Sequence, residues 1–504
     1  MKTHLKTFPY FVLLLPVFFV LHGYMENFGF ISIEDAAGLA LTYSAFSLCI
    51  FLVSLLFFRN IRRAALMTVA WMAVYLFFGA FFDFLKHNSP VKILWKYSFL
   101  GTVIFLALIS LFIYLMKVKR SFFRLTMFLN ILLIVYIVID ILNGVWKVID
   151  PPASKLAIYD FARRNSLKIP DTCKKPDIYF LLFDEYASSI SLKNRYNFDN
   201  DIDSYFRSVG FSVQSESISN YNFTPFSMAS TLNMSYLDWL KADSGVRRQD
   251  YLQCNPEIRE NELIKFLGSN GYDLVNLSMF DLAGRPSRIK QSFLPVKGKM
   301  IAEGTLFPRL YRDFEWYFLK NKFLSRLLER DYIFQQVANN ELFLSEVMKA
   351  SAQKRKNPMF IYAHFYLPHG PYFFDEHGNR QIVKIGVRSP PAYLKYVRYA
   401  NKRIKELVDT VLKNTKGEAV LVLLSDHGFR MPTNELNPKW AFQNLNAVYF
   451  PNKNYSMLYD SISNVNEFRA ILNTLFAQKF PMLKDSTLYL TDREMRRWTV
   501  DDKN

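Results

Sequence analysis

Residues 419–430 read Ala419-Val420-Leu421-Val422-Leu423-Leu424-Ser425-Asp426-His427-Gly428-Phe429-Arg430. The unbroken apolar run at its start specifies a strand buried on both faces. The polar turn after it sets a carboxylate and an imidazole side by side at the strand's carboxyl end. Three more runs of this kind follow from the same reading. Residues 178–183 end at Asp184-Glu185, residues 359–363 end at His364 with Leu367-Pro368-His369-Gly370-Pro371 just beyond, and residues 272–277 form the fourth. Helical patterns near 201–209, 260–269, 393–414 and 465–477 lie between them, with Gly210 and Gly271 placed to end a helix before the next strand. This alternation predicts an α/β domain with a mainly parallel central sheet and helices on both faces. In open sheets of this kind ligands bind beyond the carboxyl ends of the strands, where three of the four runs deliver candidate ligands.

The rest of the 504-residue chain is of a different character. Nearly all the long apolar runs lie in residues 1–149. An aromatic content of 17% excludes a disordered chain, and three cysteines exclude a disulfide scaffold. Cys49 sits in an apolar run, which leaves Cys173 and Cys254 as a candidate pair. There is no zinc-finger spacing, Walker loop, dinucleotide fingerprint or internal repeat. The net charge of +18 suits nucleic acid or phospholipid headgroups, and the apolar runs select the lipid. No nucleic-acid partner is expected.

Five apolar stretches approach the ~20 residues a bilayer span needs. They are 8–24, 37–58, 64–82, 97–116 and 125–146, followed by Asp150-Pro151-Pro152 as a linker. The first lacks a small-residue cleavage site and reads as a retained span, not a signal peptide. Nine basic residues flank one side (Lys2, Lys6, Arg59, Arg62, Arg63, Lys117, Lys119, Arg120 and Arg124), against Lys86, Lys92 and Lys96 on the other. The nine-residue side is expected in the cytoplasm, which delivers everything after Trp146 to the outside. The expected domains are 1–149 (transmembrane), 150–175 (linker) and 176–504 (extracytoplasmic and catalytic). His22, Asn130 and Asp140, in or at the ends of spans, read first as helix-packing and interface groups and second as a transport path. The aromatic and basic stretch 306–328 suits an amphipathic core helix or a helix lying on the membrane.

Carboxylates with a histidine make a mixed oxygen and nitrogen site suited to zinc, manganese or magnesium. Asp184, Asp426 and His427 are the leading ligand candidates. Glu185 reads equally as a fourth ligand or as a structural residue pointing away. A nucleophile is offered by Asn220-Tyr221-Asn222-Phe223-Thr224-Pro225-Phe226-Ser227, where Thr224-Pro225 reads as the N-cap and first residue of a helix. The free N–H groups and dipole of such a helix favour an alkoxide or a bound phosphate.

The segments PDIYFLLFDEY, NYNFTPFSMASTLNM, FIYAHFYLPHGPYFFD and VLVLLSDHGFR occur in the order seen in the sulfatase-like branch of the alkaline phosphatase superfamily. The resemblance covers about 176–480, and the preceding spans resemble the architecture of lipoteichoic acid synthases and phosphoethanolamine transferases. It implies an α/β sulfatase-like fold, with Thr224 as nucleophile and Asp184, Thr224, Asp426 and His427 as ligands of one divalent metal ion (manganese, zinc or magnesium, with calcium also admitted). It implies His369 as a contact to the substrate anion, with His364 and Arg430 as further ones; His377 reads as a turn residue. The formylglycine route of secreted sulfatases needs a Cys or Ser in a Cys/Ser-x-Pro-x-Arg setting, whereas Thr224 stands at that position. Cys254-Asn255-Pro256-Glu257-Ile258-Arg259 places its arginine one residue too late.

The expected function is transfer of a substituted phosphate from a phospholipid donor to an envelope glycan or lipid through a phospho-threonine. A hydrolase or phosphodiesterase using water is the first alternative, and a catalytically inactive membrane assembly or transport factor the second. The intact set Asp184, Thr224, Asp426 and His427 disfavours the last.

Overall fold

The computed structural model describes residues 8–28, 31, 33–149, 167–240, 245–289, 299–310, 322–381, 387–431, 438–491 and 499–500. The chain divides into two compact units, Met1–Ala153 with Ser292–Leu327, and Ser154–Gln291 with Leu328–Asn504.

The first unit is helical: α1 (Phe11–Glu26), α2 (Ile33–Phe58), α3 (Ile61–Asn88), α4 (Tyr97–Lys117) and α5 (Phe123–Ile149). By length and composition, four of these are apolar enough to cross a membrane among the described residues. The first of the five expected spans is shorter: α1 has 16 residues, about 24 Å of helix against a hydrocarbon core of about 30 Å. Leu41, Leu56, Leu142 and Trp146 are each more than 60% exposed, an arrangement suited to lipid and not to water. Polar groups in these helices pack them together. Asn130 accepts from Phe11 N at 2.8 Å and donates to Phe8 O at 2.9 Å, His22 Nδ1 meets Asp140 Oδ1 at 3.1 Å, and Ser47 Oγ donates to Val12 O at 2.7 Å. Asn130 and Asp140 thereby hold α1 beside α5, the packing role expected first.

Ser292–Leu327 belongs with the helices, although it falls inside the stretch 176–504 expected to be wholly catalytic. The amide of Gly79, in α3, donates to Gly304 O at 2.8 Å, and a Cβ on Gly79 would come within 2.3 Å of that oxygen. Arg309 makes a two-pronged ion pair with Asp83. Backbone contact through a glycine leaves no periodicity to read, so a single break near residue 150 was the natural expectation. Residues 150–166 of the linker and 311–321 of the aromatic and basic stretch lie outside the described residues.

The second unit holds β1 (Ile178–Phe183), α6 (Ser189–Tyr196), α7 (Ile202–Ser208), β2 (Ser212–Val213), α8 (Thr224–Asn233), α9 (Arg248–Arg259), α10 (Glu262–Ser269), β3 (Asp273–Leu277), most of α11 (Lys322–Ser351, whose first six residues fall in the first unit), β4 (Met359–Phe365), β5 (Val387–Arg388), α12 (Pro390–Asn414), β6 (Val420–Leu424), β7 (Asn446–Tyr449), α13 (Asn464–Phe476) and β8 (Thr499–Val500). Six strands form one sheet in the order β2-β7-β6-β1-β4-β3, and β5 pairs with β8. The pairings β6–β1, β1–β4 and β4–β3 are parallel, while β7 runs antiparallel to both β6 and β2. The sheet is therefore mixed, where a mainly parallel one was expected. The β6–β7 connection contains no crossover helix among its described residues, and without one the chain returns antiparallel.

Alternation through the strands builds two cores. Tyr179, Leu181, Phe183, Leu421 and Leu423 face one side with Tyr396, Val397, Ile404 and Leu407 of α12. Ile178, Phe180, Leu182, Val420, Val422 and Leu424 face the other with Phe226 and Ala229 of α8 and Phe468 and Ile471 of α13. Gly210 and Gly271 take φ of 91° and 86° where their helices end, the left-handed region that glycine enters freely. The cysteines are free, so Cys173 and Cys254 are not paired.

Candidate active site

The site lies where β1 and β6, neighbours in register with Leu182 opposite Leu424, both end. Asp184 follows β1, and its amide donates to Phe365 O of β4 at 3.0 Å. Asp426 and His427 follow β6 through a turn that requires glycine: a Cβ on Gly428 would come within 2.3 Å of Trp440 O and 2.7 Å of Gln443 O. Ser425 Oγ donates to His427 O at 2.8 Å and accepts from Tyr186 N at 2.9 Å, which fixes the turn from inside.

One ligand atom from each of Asp184, Asp426 and His427 lies within 4.8 Å of the others, and all three residues are buried. Nε2 of His427 is 3.1 Å from Asp426 Oδ2 and 4.0 Å from Asp184 Oδ1. Nδ1 of His427 lies 2.9 Å from Gly428 O, and because a carbonyl only accepts, the proton sits there and Nε2 turns its lone pair to the cluster. Neither oxygen of Asp184 has a hydrogen-bond partner among the described residues, though both are buried. Burial, reinforced by the charges of Asp426 and Glu185, pushes the Asp184 carboxyl well above the ordinary range. For Asp426 burial acts the same way, but His427, His364 and the Thr224 hydroxyl together outweigh it, and its carboxyl falls below that range. Clustered oxygen and nitrogen donors, two of them the unpartnered oxygens of Asp184, fit a divalent cation.

Thr224 opens α8, which is buried throughout. The N-cap is Phe223, and no side chain caps the helix. The expected N-cap role of Thr224 is thus corrected by one position, and its hydroxyl is released for other work: Oγ1 lies 3.3 Å from His427 Nε2. Pro225 fixes the start, and Ser227 Oγ donates to Asp426 O at 2.6 Å, locking the helix to the metal-side turn. The N-terminal dipole of α8 therefore points at the cluster.

Glu185 stands elsewhere. It has φ of 62°, a left-handed backbone that a side chain rarely adopts, and this turn sends its carboxylate away from Asp184. Oε2 pairs with Arg388 and lies 3.6 Å from His369 Nε2; Oε1 accepts from Arg430 N at 3.1 Å and Nε at 3.4 Å. Burial alone would raise this carboxyl, but Arg388 above all holds it at about 2. Of the two readings open in the sequence, the structure places Glu185 on the arginines and outside the ligand cluster. Arg430 also donates to Asn222 O at 3.2 Å and lies over the Phe223 ring at 5.0 Å, which brings it to the flank of Thr224. His369 is 3.5 Å from Arg430 Nη2, and burial lowers its imidazole to about 3.

His364, expected as a contact to substrate, lies within β4, two residues longer than expected, and not beyond it. Its Nε2 is 3.7 Å from Asp184 Oδ2 and its Nδ1 is 2.9 Å from Tyr362 Oη, so it stands on the metal side. Burial lowers it to about 4. His377 occupies an exposed turn, as expected. Arg388 was missed. It ends the alternating stretch Val383-Lys384-Ile385-Gly386-Val387-Arg388, a strand-like pattern that does not single out this arginine as functional.

Residues 247–468 match the family model described as Sulfatase. This match supports a sulfatase-like domain and an enzyme of hydrolase or transferase type. The match takes in His369, Arg388, Asp426, His427 and Arg430, while Asp184 and Thr224 precede it and reach the site through β1 and α8. Among solved structures, the periplasmic domain of EptC from Escherichia coli in complex with Zn is 11% identical, with a TM-score of 0.38, over 66% of this chain and 94% of that one. The periplasmic domain of the phosphoethanolamine transferase EptC from Campylobacter jejuni is 14% identical, with a TM-score of 0.33, over 61% and 92%. A 2-O GAG sulfatase is 13% identical, with a TM-score of 0.37, over 63% and 73%. No curated protein matches the chain.

Proposed function

We propose that the protein is a membrane-anchored, metal-dependent transferase that moves a substituted phosphate from a phospholipid to a hydroxyl of an envelope glycan or lipid, with its catalytic domain outside the cytoplasm. One observation carries this reading: a threonine hydroxyl, freed from capping, lies 3.3 Å from the imidazole of a buried Asp-Asp-His cluster. Asp184, Asp426, His427 and the Thr224 oxygen would hold a divalent ion, which when bound favours the threonine alkoxide and offsets the negative charge that develops on phosphorus.

The remaining steps belong to side chains. The N-terminus of α8 stabilises negative charge at Thr224. Arg430 and His369, on the Asn222–Phe223 flank, receive the non-bridging oxygens. Thr224 Oγ forms a bond to phosphorus as the lipid alcohol leaves with a proton, and an acceptor hydroxyl then attacks the phospho-threonine, losing its own proton and restoring Thr224. A threonine cannot be converted to formylglycine, which removes the usual sulfatase route. Four long apolar helices keep the enzyme in the bilayer that contains its donor, and the basic residues clustered between α2 and α3 and between α4 and α5 support an outer location for the domain.

The test is a mass balance with a headgroup-labelled phospholipid in vesicles, with and without an envelope glycan or lipid fraction. Label on the acceptor supports transfer. Label released only as a free phosphate ester makes the protein a hydrolase, and an unlabelled outcome in both arms contradicts the proposal.

A further inference from the structure

The stretch 299–310 packs within the helical unit, although the chain up to Gln291 and from Leu328 onward belongs to the other unit. Its contacts sort by depth along the spans. Ile301 packs on Gly23, near the end of α1, where a Cβ on that glycine would come within 2.9 Å of Ile301 Cγ2. Gly304 O accepts from Gly79 N at 2.8 Å, and the Phe307 ring centre lies 5.5 Å from that of Tyr75. Arg309 then reaches Asp83. The apolar part of α3 runs Ile61–Lys86. At ~1.5 Å per residue, Asp83, Gly79 and Tyr75 lie about 5, 10 and 16 Å inside its end. The segment therefore goes in, turns and comes back out.

Non-helical backbone survives at hydrocarbon depth only where protein satisfies its polar groups. The turn 303–305 is built that way. Its Gly304 carbonyl takes the Gly79 amide, Thr305 N and Oγ1 donate to Ala302 O at 2.9 and 2.7 Å, and Arg309 N donates to Thr305 O at 3.0 Å. A loop in water has no need of a glycine in the facing helix to receive its carbonyl. The side chains divide in the same sense. Thr305 is fully buried, and Leu306 packs on Phe78, Phe82 and Leu100. Phe307 is 61% exposed, and Phe77, Phe81 and Phe84 of α3 are exposed as well. We propose that residues 299–310 form a re-entrant element inserted into the leaflet on the catalytic side, with Phe307 against the acyl chains. Because the chain leaves the catalytic unit to reach this element and returns afterwards, it is a second attachment of that unit to the membrane, independent of the linker at 150–166. The inference needs the helices to span a bilayer and nothing from the chemistry at Thr224.

The experiment uses the full chain in vesicles of phosphatidylcholine and phosphatidylglycerol, carrying Cys49→Ser and Cys173→Ser and keeping the buried Cys254. A spin label is attached at Phe307→Cys or, as a control, at Lys413→Cys on an exposed position of α12. Its collisions with oxygen, which concentrates among acyl chains, are compared with its collisions with a water-soluble nickel chelate. Position 307 is expected to favour oxygen and position 413 the chelate. A label at 307 that favours the chelate stands in water and overturns the insertion. The attachment is read from a chain tagged at its amino terminus, with a protease site placed within 150–166. After cleavage in detergent the carboxyl-terminal fragment is expected to stay on the tag column with the helices, and its release overturns the second attachment. The variant Gly79→Leu with Arg309→Met closes the space for Gly304 O and removes the pair with Asp83. Its fragment is expected to lose most of its retention after cleavage, whereas full retention overturns the assignment of the attachment to this segment. Should that variant fail to fold, the label at 307 and the cleaved wild-type chain decide.

Discussion

The Thr224 hydroxyl and His427 Nε2 stand 3.3 Å apart although the two residues are 203 positions apart in the chain. The contact joins the N-terminus of a buried helix to the carboxyl end of a buried strand, and Ser227 binds the same turn through Asp426 O. Because Phe223 and not Thr224 occupies the N-cap, a chemical role and a capping role separate cleanly. Thr224→Ala is expected to lower turnover about a thousandfold or more, while stability changes by under about 1 kcal/mol. Thr224→Ser is expected to retain part of the activity. Rate and melting measured on the same preparations give the check, and an alanine variant that is active but unstable contradicts the assignment.

Removing a ligand from the cluster is expected to weaken the metal and spare the fold. For Asp184→Asn, Asp426→Ala and His427→Ala, affinity for the divalent ion should fall at least about tenfold. Elemental analysis after dialysis at fixed metal concentration reads this directly. Unchanged stoichiometry in all three places the ligands elsewhere.

Gly428 is expected to tolerate no side chain. The Cβ of Gly428→Ala would meet Trp440 O at 2.3 Å and Gln443 O at 2.7 Å, so the Asp426-His427 turn or the 440–443 segment must move. The cost should be about 1–3 kcal/mol, with loss of metal affinity greater than the loss of stability alone explains. Melting and metal titration of one preparation test both parts.

Glu467, at the start of α13, gives a pH signature of its own. It is buried, donates nothing while ionised, and accepts from Asn446 Nδ2 at 2.7 Å; burial outweighs that bond and raises its carboxyl to about 7. A raised folded-state value means that its contribution to stability is fully present below about 4.5, the unfolded value, and lost as pH rises through 7. The whole swing is about 3 kcal/mol. Glu467→Gln removes the ionisation, so its melting temperature should exceed that of the wild type increasingly from pH 5 to pH 8.5. A constant difference across that range contradicts the account.

What the sequence made legible follows from what burial does to it. Strands covered on both faces must be continuously apolar, and β1, β3, β4 and β6 appear within two residues of their expected ends. Asp184, Asp426 and His427 were readable because a polar group straight after such a run has few other reasons to be there. The short strands β2 and β7 were not, since β7 opens with Asn446 and pairs through backbone bonds that leave no pattern. Arg388 was invisible because its role is set by a partner, Glu185, two hundred residues earlier in the chain. The direction of Glu185 itself depends on a φ of 62°, which no composition encodes. The attachment of Ser292–Leu327 to the helices uses scattered contacts, among them Gly79 with Gly304 and Asp83 with Arg309, that leave no periodic pattern.

The central claim is that Thr224 carries the phosphoryl group between donor and acceptor. A phospholipid labelled at phosphorus, quenched with acid in the absence of acceptor and followed by peptide mapping, tests it most directly. The account predicts label on the peptide containing Thr224, discharged when acceptor is added and missing in Thr224→Ala. Label on another residue, or full transfer activity in Thr224→Ala, would contradict it.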